Sequence, residues 1–383
     1  MKNQQLLSAL ASIALGGALL HGQSFSSGSD GSYGPMNITA NTTLTMPSNG
    51  VFNCTTINIA PGATLKFTSN PLNTPVYLLA TGDVTIAGSI DLSGQSGNSV
   101  VGGPAGPGGF AGGSPGSVSV PPGAGFGPGA GVGGSGNINT DGAGAAAYGN
   151  VYSSGTSTNK GSVYGNALLI PLIGGSGGGG TAGTPGSGGG GGGGGLLIAS
   201  NTRINLSGGL ASTGSFATGG AYNGGSGGAI RLVAPIVAGG GRIDVTGHNG
   251  GDGRIRIDST DRTSLNFNLF PTANTSIGSL MLVFPSPLPR LDITQAAGTP
   301  VPLGSGPVNL QLPFGSSPNQ SITVQAQNFN AQVPITLVLT PDHGNPSVYT
   351  SSLNNTAANN PASLTVPVVL PVNEQTTVQV YSK

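Results

Sequence analysis

Glycine limits the folds open to this chain more than any other residue type. Of its 383 residues, 72 are glycine and 29 are proline. In a helix interior each glycine costs about 1 kcal/mol and each proline about 3 kcal/mol relative to alanine. We therefore predict few long helices and a core assembled from short strands and turns.

A seven-residue pattern recurs along the chain and gives the best indication of architecture. It reads glycine, any residue, Ile or Leu, Asp or Ala, any residue, Ser or Thr, glycine. The copies are residues 88–94, 208–214 and 241–247. Before each copy lies an apolar run that ends in alanine: Val76–Ala80, Leu196–Ala199 and Ile230–Ala234.

One such unit cannot bury its own apolar face, whereas stacked units share a continuous core. The repeats therefore predict an all-β fold, a parallel β-solenoid (β-helix) with rungs in residues 24–97 and 196–285. A β-sandwich built from similar hairpins is the alternative.

Alternation of polar and apolar residues predicts which side chains of the repeats face the core. The residues predicted to point inward are Ile86, Ile90, Leu92, Ile204, Leu206, Leu210, Ile243 and Val245. Those predicted to point outward or lie in corners are Asp91, Asn205 and Asp244. The single cysteine, Cys54, occupies an apolar position of the alternation, which indicates a buried and unreactive thiol.

Residues 98–195 form a glycine-rich insertion between the first two repeats, and they end in the unbroken run Gly188–Gly195. Such dense glycine offers little side-chain burial to offset the entropy of ordering the backbone, which favours a flexible, exposed excursion. The alternative is a set of close-packed, polyproline-II-like segments lying against the solenoid. The apolar stretch Ala167–Ile173 indicates that at least one segment docks.

The glycine excess ends near Pro285–Pro289, and residues 290–383 are predicted to form a small C-terminal β-sandwich. Short alternating segments separated by Asn, Pro and Ser are typical of that fold. The predicted strands are Val308–Leu312, Ser321–Gln327, Ile335–Thr340, Ser363–Leu370 and Thr376–Tyr381.

The N-terminus resembles an export signal. Lys2 supplies the positive charge, and Leu6–Leu20 supply an apolar stretch of about 15 residues. A membrane span needs about 20 such residues, so this length fits a signal peptide better. We predict that residues 1–23 are removed; a buried N-terminal helix is the alternative.

The charged residues concentrate between Arg242 and Arg262, where a polysaccharide-acting site would be sought. A strand over 254–258 sends Arg254, Arg256 and Asp258 to one face and the two isoleucines to the other. The simpler interpretation is a solvated ladder of alternating charge. The sequence of residues 250–258 also resembles a calcium-binding nonapeptide motif, but Ile255 stands where that motif requires an aspartate.

No catalytic, cofactor-binding or metal-binding residue is predicted. His248 and His343 lie in different parts of the chain, and His21 belongs to the signal peptide. The chain has 11 basic and 11 acidic residues, and it lacks the stripe of basic residues that binding to nucleic acids requires. It also lacks the clustered Lys and Arg residues that bind an anionic membrane surface.

Two resemblances follow from the segments INIAPGATLKF and LLATGDVTIAGSIDLSG and from the glycine tract. The two quoted segments resemble rungs of right-handed parallel β-helix proteins, a group that includes bacterial adhesins and polysaccharide lyases. The tract resembles the glycine-rich (PGRS-like) segments of mycobacterial surface proteins. Shared architecture does not determine function.

Together these observations predict a secreted or surface-exposed structural or adhesive protein without enzymatic activity. Its expected partners are a cell-wall or matrix polysaccharide or a second copy of the chain. A polysaccharide-acting enzyme that uses Asp252 and Arg254 is one alternative. The other is a glycan-binding module in the C-terminal region, where the available aromatic residues are Phe314, Phe329, Tyr349 and Tyr381.

Overall fold

The computed structural model describes residues 25–134, 142–153, 159–217 and 223–382, and these residues form an all-β structure. The predicted signal peptide, residues 1–23, and His21 within it lie outside the described residues. Within the described ranges, no helix is long and apolar enough to cross a membrane.

Sixteen strands make up the first part of the structure, which we call the parallel body. They are β1 Gly34–Ile38, β2 Thr42–Thr45, β3 Val51–Ile59, β4 Thr64–Thr68, β5 Val76–Ala80, β6 Val84–Ile86, β7 Ser89–Asp91, β8 Gly195–Ser200, β9 Arg203–Leu206, β10 Gly209–Ala211, β11 Ala229–Val233, β12 Ile236–Ala238, β13 Arg242–Asp244, β14 Arg254–Asp258, β15 Asn268–Phe270 and β16 Thr275–Gly278.

These strands form two parallel sheets, one of ten strands and one of six. In the larger sheet the order is β12-β9-β6-β3-β5-β8-β11-β14-β16, with β1 also on β3; in the smaller it is β15-β13-β10-β7-β4-β2. The repeats pair residue for residue, so that Ile90 lies beside Leu210 and Leu210 beside Ile243. The prediction that the repeats stack side by side is confirmed.

The core of the parallel body lies between the two sheets. All eight residues predicted to point inward are buried there, each 0–2% exposed. Asp91 and Asp244 are half-buried on the outside, where they form ion pairs with Lys66 and Arg242. Cys54 is fully buried, and this burial raises the pKa of its thiol to about 11. A thiol with that pKa is unreactive near neutral pH.

A second apolar layer covers the outer face of the larger sheet. Side chains from the sheet, among them Leu79 and Leu197, pack there against buried residues of the insertion. Leu169 and Leu172 belong to this layer, which confirms that the stretch Ala167–Ile173 docks on the body. Strands β5, β8, β11 and β14 of the larger sheet are therefore buried on both faces, as is usual for parallel sheets.

The glycine-rich insertion is ordered and largely buried where the structure describes it, so its interpretation as a flexible, exposed excursion is wrong. Its segments lie side by side with glycine-rich segments that follow β10 and β13, and they form what we call the glycine bundle. Its members are residues 92–98, 101–116, 122–134, 142–149, 174–181, 187–195, 212–217, 223–228 and 245–253.

The run Gly188–Gly195 lies at the centre of this bundle. Every one of its backbone N–H groups donates a hydrogen bond, with donor–acceptor distances of 2.7–3.1 Å. The acceptor segment changes with each residue and returns to the same neighbour after three residues. The three neighbours are 92–98, 107–113 and 223–226. Three residues per turn is the period of polyproline II, as the alternative interpretation predicted.

Seven strands of the C-terminal region form two antiparallel sheets. They are β17 Arg290–Ala296, β18 Thr299–Pro300, β19 Asn319–Gln327, β20 Ala331–Pro341, β21 Ser347–Asn355, β22 Ala362–Val369 and β23 Thr376–Tyr381. Three of the five predicted strands fall within these elements, and a fourth, Ser363–Leu370, extends one residue beyond β22. The fifth, Val308–Leu312, is wrong, since that segment is irregular, and β17, β18 and β21 were not predicted.

The sheets are β18-β17-β19-β22 and β21-β20-β23, and a separate apolar core lies between them. This C-terminal region contacts the glycine bundle. Gly123 forms a bridge to Gly344, and the ring of Tyr381 meets the edge of Phe110.

Candidate binding surface

The charged stretch 254–258 is a strand with the predicted alternation, but its polar face is covered. Ile255 and Ile257 lie in the core, whereas Arg256 and Asp258 are only 9% and 0% exposed on the opposite face. The interpretation as a solvated ladder is therefore wrong for these two residues. Segment 280–283 lies over them.

Asp258 is the centre of a buried ionic cluster. Its two carboxylate oxygens accept hydrogen bonds from Arg231 Nη2 at 3.1 Å, Arg256 Nε at 3.0 Å and the backbone N–H of Leu280 at 2.9 Å. Arg231 also donates to the carbonyl of Leu282 at 2.7 Å. Burial lowers the pKa of Arg231, although Asp258 opposes this change. The cluster fastens the segment after β16 to the parallel body.

Asp252 and Arg254, the candidates for catalysis, hold the insertion in place. The carboxylate of Asp252 accepts hydrogen bonds from Asn150 at 2.9 Å and from the N–H of Gly247 at 3.1 Å. Arg254 donates to the carbonyl of Tyr164 at 3.2 Å and lies over the ring of Tyr148. These contacts give both side chains a structural role at the seam between the bundle and the body.

The two histidines among the described residues lie in different regions of the structure. His248 Nδ1 lies 2.9 Å from the carbonyl oxygen of Gly214, and His343 Nδ1 lies 3.0 Å from Glu374 Oε1. Across the described residues, no three His, Cys, Asp or Glu side chains are grouped so that they could hold a metal ion.

The end of the glycine bundle farther from the parallel body carries a cluster of turns, which we call the distal turns: residues 98–101, 117–121, 182–186 and 215–217. Backbone hydrogen bonds place them together. Gly188 donates to Asn98, Gly116 donates to Thr181, and Thr181 donates to Ser187. Gly97 forms a parallel bridge to Ala217.

Short polar side chains shape the distal turns. The carboxamide of Asn98 accepts from the N–H groups of Val100 and Val101, and the hydroxyl of Ser117 accepts from Val120. Such local bonds favour tight turns. At ~3.1 Å per residue, the six steps from Leu92 to Asn98 carry the turns roughly 19 Å from the parallel body.

The distal turns expose aliphatic and aromatic side chains to solvent. Val100 is 77% exposed and Val118 is 83% exposed, and Val101, Val120 and Phe216 are exposed as well. None of the residues in these four turns carries a charge. These turns are therefore uncharged and expose aliphatic and aromatic side chains beside short polar ones. Sequence reasoning missed this surface because it interpreted the insertion as flexible.

Two shallow grooves lie elsewhere on the described surface. One, of about 420 Å³, runs between the edge strands β21 and β22 and includes Tyr349. The other, of about 430 Å³, lies between the glycine bundle and β23 and includes Phe110 and Phe126. Of the aromatic residues proposed for glycan binding, Phe314 is fully exposed, whereas Phe329 and Tyr381 pack against neighbouring residues.

No family model, curated protein or solved structure matches this chain.

Proposed function

We propose that this chain is a non-enzymatic, exported structural or adhesive protein of the bacterial cell surface or extracellular matrix. The observation that carries the proposal is the glycine bundle, a hydrogen-bonded scaffold that presents the distal turns at the end farther from the parallel body. Binding residues are frequently placed on loops that a rigid scaffold positions.

The side chains of the distal turns support contact with an uncharged surface. Burial of the exposed valines and Phe216 against an apolar partner would favour binding by about 25 cal/mol per Å² of apolar surface removed from water. Because these turns carry no charge, a second copy of the chain can approach them without like-charge repulsion.

The proposal includes the finer architecture expected from the repeats. The parallel body is a β-solenoid of the kind found in parallel β-helix proteins, and the C-terminal region is a small β-sandwich. Support comes from the in-register stacking of Ile90, Leu210 and Ile243 and from the paired antiparallel sheets.

The first test replaces Val100 and Val118 with serine and follows the protein during expression in a bacterial host. We expect cleavage near Ser24, export, and either retention on cells or self-association in sedimentation velocity. Retention or association should fall severalfold in the double variant, since it removes two exposed valine side chains that a partner would bury. The matched control replaces Val369 and Val372, which are exposed in the C-terminal region.

A wild-type protein that stays monomeric and is released freely into the medium would contradict the adhesive assignment. The non-enzymatic assignment is tested separately with neutral and anionic polysaccharides. We expect their chain lengths to remain unchanged. Shortened chains that persist in Arg254→Ala would locate an activity elsewhere, and their loss in that variant would restore the enzyme hypothesis.

A further inference from the structure

The groove between the glycine bundle and β23, which we call the bundle cleft, has features of a ligand site. It is a shallow groove of about 430 Å³ that is open to solvent. It also lies where two separately packed regions meet, a common position for such sites. The lining residues are Ser69, Asn73, Pro104, Ala105, Gly109, Phe110, Ala111, Phe126, Thr377 and Gln379.

The aromatic wall of the bundle cleft is held in place by the backbone. Asn73, in the left-handed region with φ of 47°, donates from its amide to the carbonyl of Gly109 at 2.6 Å. Its oxygen accepts from the N–H of Gly108 at 3.1 Å. These bonds fix the turn before Phe110. Phe126 lies on the adjacent bundle segment, whose N–H bonds to the carbonyl of Ala111 at 3.0 Å.

The opposite wall comes from β23, where alternation separates two kinds of residue. Val378 and Val380 pack on the C-terminal core, so Thr377 and Gln379 face the cleft. Gln379 Oε1 accepts from the N–H of Gly127 at 3.4 Å. Ser69 is exposed and Thr377 and Gln379 are half-buried, so their polar groups can be reached from solvent.

The bundle cleft therefore combines two phenyl rings with hydroxyl and amide groups that solvent can reach, and none of its ten lining residues is charged. A sugar ring offers matching chemistry, with apolar C–H faces that lie against aromatic rings and hydroxyls that bond to Ser, Thr and Gln side chains. The absence of charge among these residues gives an anionic ligand no counter-charge. We propose that the bundle cleft binds a neutral saccharide unit of a polysaccharide.

This inference does not rest on the proposed function, because the bundle cleft and the distal turns share no residues. Loss of saccharide binding would leave the adhesive role of the distal turns intact. Conversely, a chain that neither adheres nor self-associates through those turns could still bind a saccharide in the cleft.

The test uses the full mature chain and isothermal titration calorimetry with three neutral probes: cellohexaose, xylohexaose and maltohexaose. Polygalacturonate oligomers serve as an anionic probe, and a neutral proline-rich peptide represents the other class of ligand. We expect at least one neutral oligosaccharide to bind and the anionic oligomers to bind more weakly. Failure of all three neutral probes to bind, or binding of the peptide in their place, would overturn the proposal.

Variants then locate the site. Phe126→Ala should weaken binding about tenfold through loss of the stacking surface, and Thr377→Val about threefold through loss of one hydroxyl. The matched controls are Phe314→Ala and Thr350→Val, both at exposed positions outside the cleft, which should bind as the wild type does.

Should Phe126→Ala fail to fold, Thr377→Val and Ser69→Ala carry the test, because both remove a hydroxyl without opening the core. Oligosaccharide binding that survives these substitutions unchanged would place the ligand elsewhere and refute the assignment.

Discussion

The parallel body and the glycine bundle lie side by side, and their interiors are filled by different parts of the chain. In the body, strands present Ile, Leu and Val to a core between two sheets. In the bundle, the backbone itself forms the interior, and hydrogen bonds join each segment to several neighbours. The same chain thus contains a core made of side chains and a core that requires their absence.

The stability of the two regions should therefore depend in opposite ways on the size of the side chain at a substituted position. The body loses stability when a side chain becomes smaller, since a cavity remains in a close-packed interior. The bundle loses stability when a side chain becomes larger. A Cβ placed on Gly189 would lie 1.9 Å from the carbonyl oxygen of Gly178, and one on Gly192 would lie 2.2 Å from that of Gly175.

The largest expected effect tests whether the outer face of the parallel body is as thoroughly buried as the inner one. Asp258→Ala leaves Arg231 and Arg256 buried without their carboxylate, so we expect a loss of about 3–5 kcal/mol in the free energy of unfolding. Urea denaturation measures it. The control is Asp292→Ala, which removes the carboxylate of a partly exposed ion pair with Arg290 and should cost less than about 1 kcal/mol. Similar losses in the two variants would mean that the outer face is solvated.

The second effect tests the backbone core directly. Gly189→Ala should lower the free energy of unfolding by about 1–3 kcal/mol or more, because the new methyl group collides with backbone. Gly240→Ala is the matched control, since nothing but the carbonyl of Asn266, at 3.8 Å, lies within 4 Å of its added carbon. We expect the control to be neutral or slightly stabilising. A neutral Gly189→Ala would show that the bundle is loosely packed.

The smallest effect concerns the side-chain core. Ile198 lies between Leu78 and Leu232 on neighbouring strands and is fully buried. Ile198→Val should cost about 0.5–1.5 kcal/mol through loss of one methylene. Ile277→Val, at a position 45% exposed, should cost less. If thermal unfolding showed equal losses at the two positions, the contrast between core and surface in the body would fail.

Sequence reasoning succeeded where the signal was local and periodic. The spacing of apolar residues in each repeat placed all eight inward side chains correctly, and the shared glycines gave the register between strands. It failed for Val308–Leu312, where alternation occurs without a neighbouring strand, and for β17 and β21, whose alternation is interrupted by polar residues.

The candidate sites could be predicted only in part. The sequence correctly sent Arg254, Arg256 and Asp258 to one face of a strand, since alternation depends on neighbouring residues alone. It could not show that segment 280–283 covers this face, because that contact is long-range. Nothing in the sequence indicated that Phe110 and Phe126 would line a cleft with β23.

By itself, the sequence determined that the chain is rich in strands, that its repeats stack, and which side chains form the core of the parallel body. Only the tertiary structure decided whether the glycine-rich segments are ordered. Glycine carries no side chain with which to specify a partner, so a tract such as Gly188–Gly195 has no internal preference for order or disorder. Order comes from neighbouring segments that accept its N–H groups at hydrogen-bond distance. Those segments come from distant parts of the chain, and only the fold brings them together.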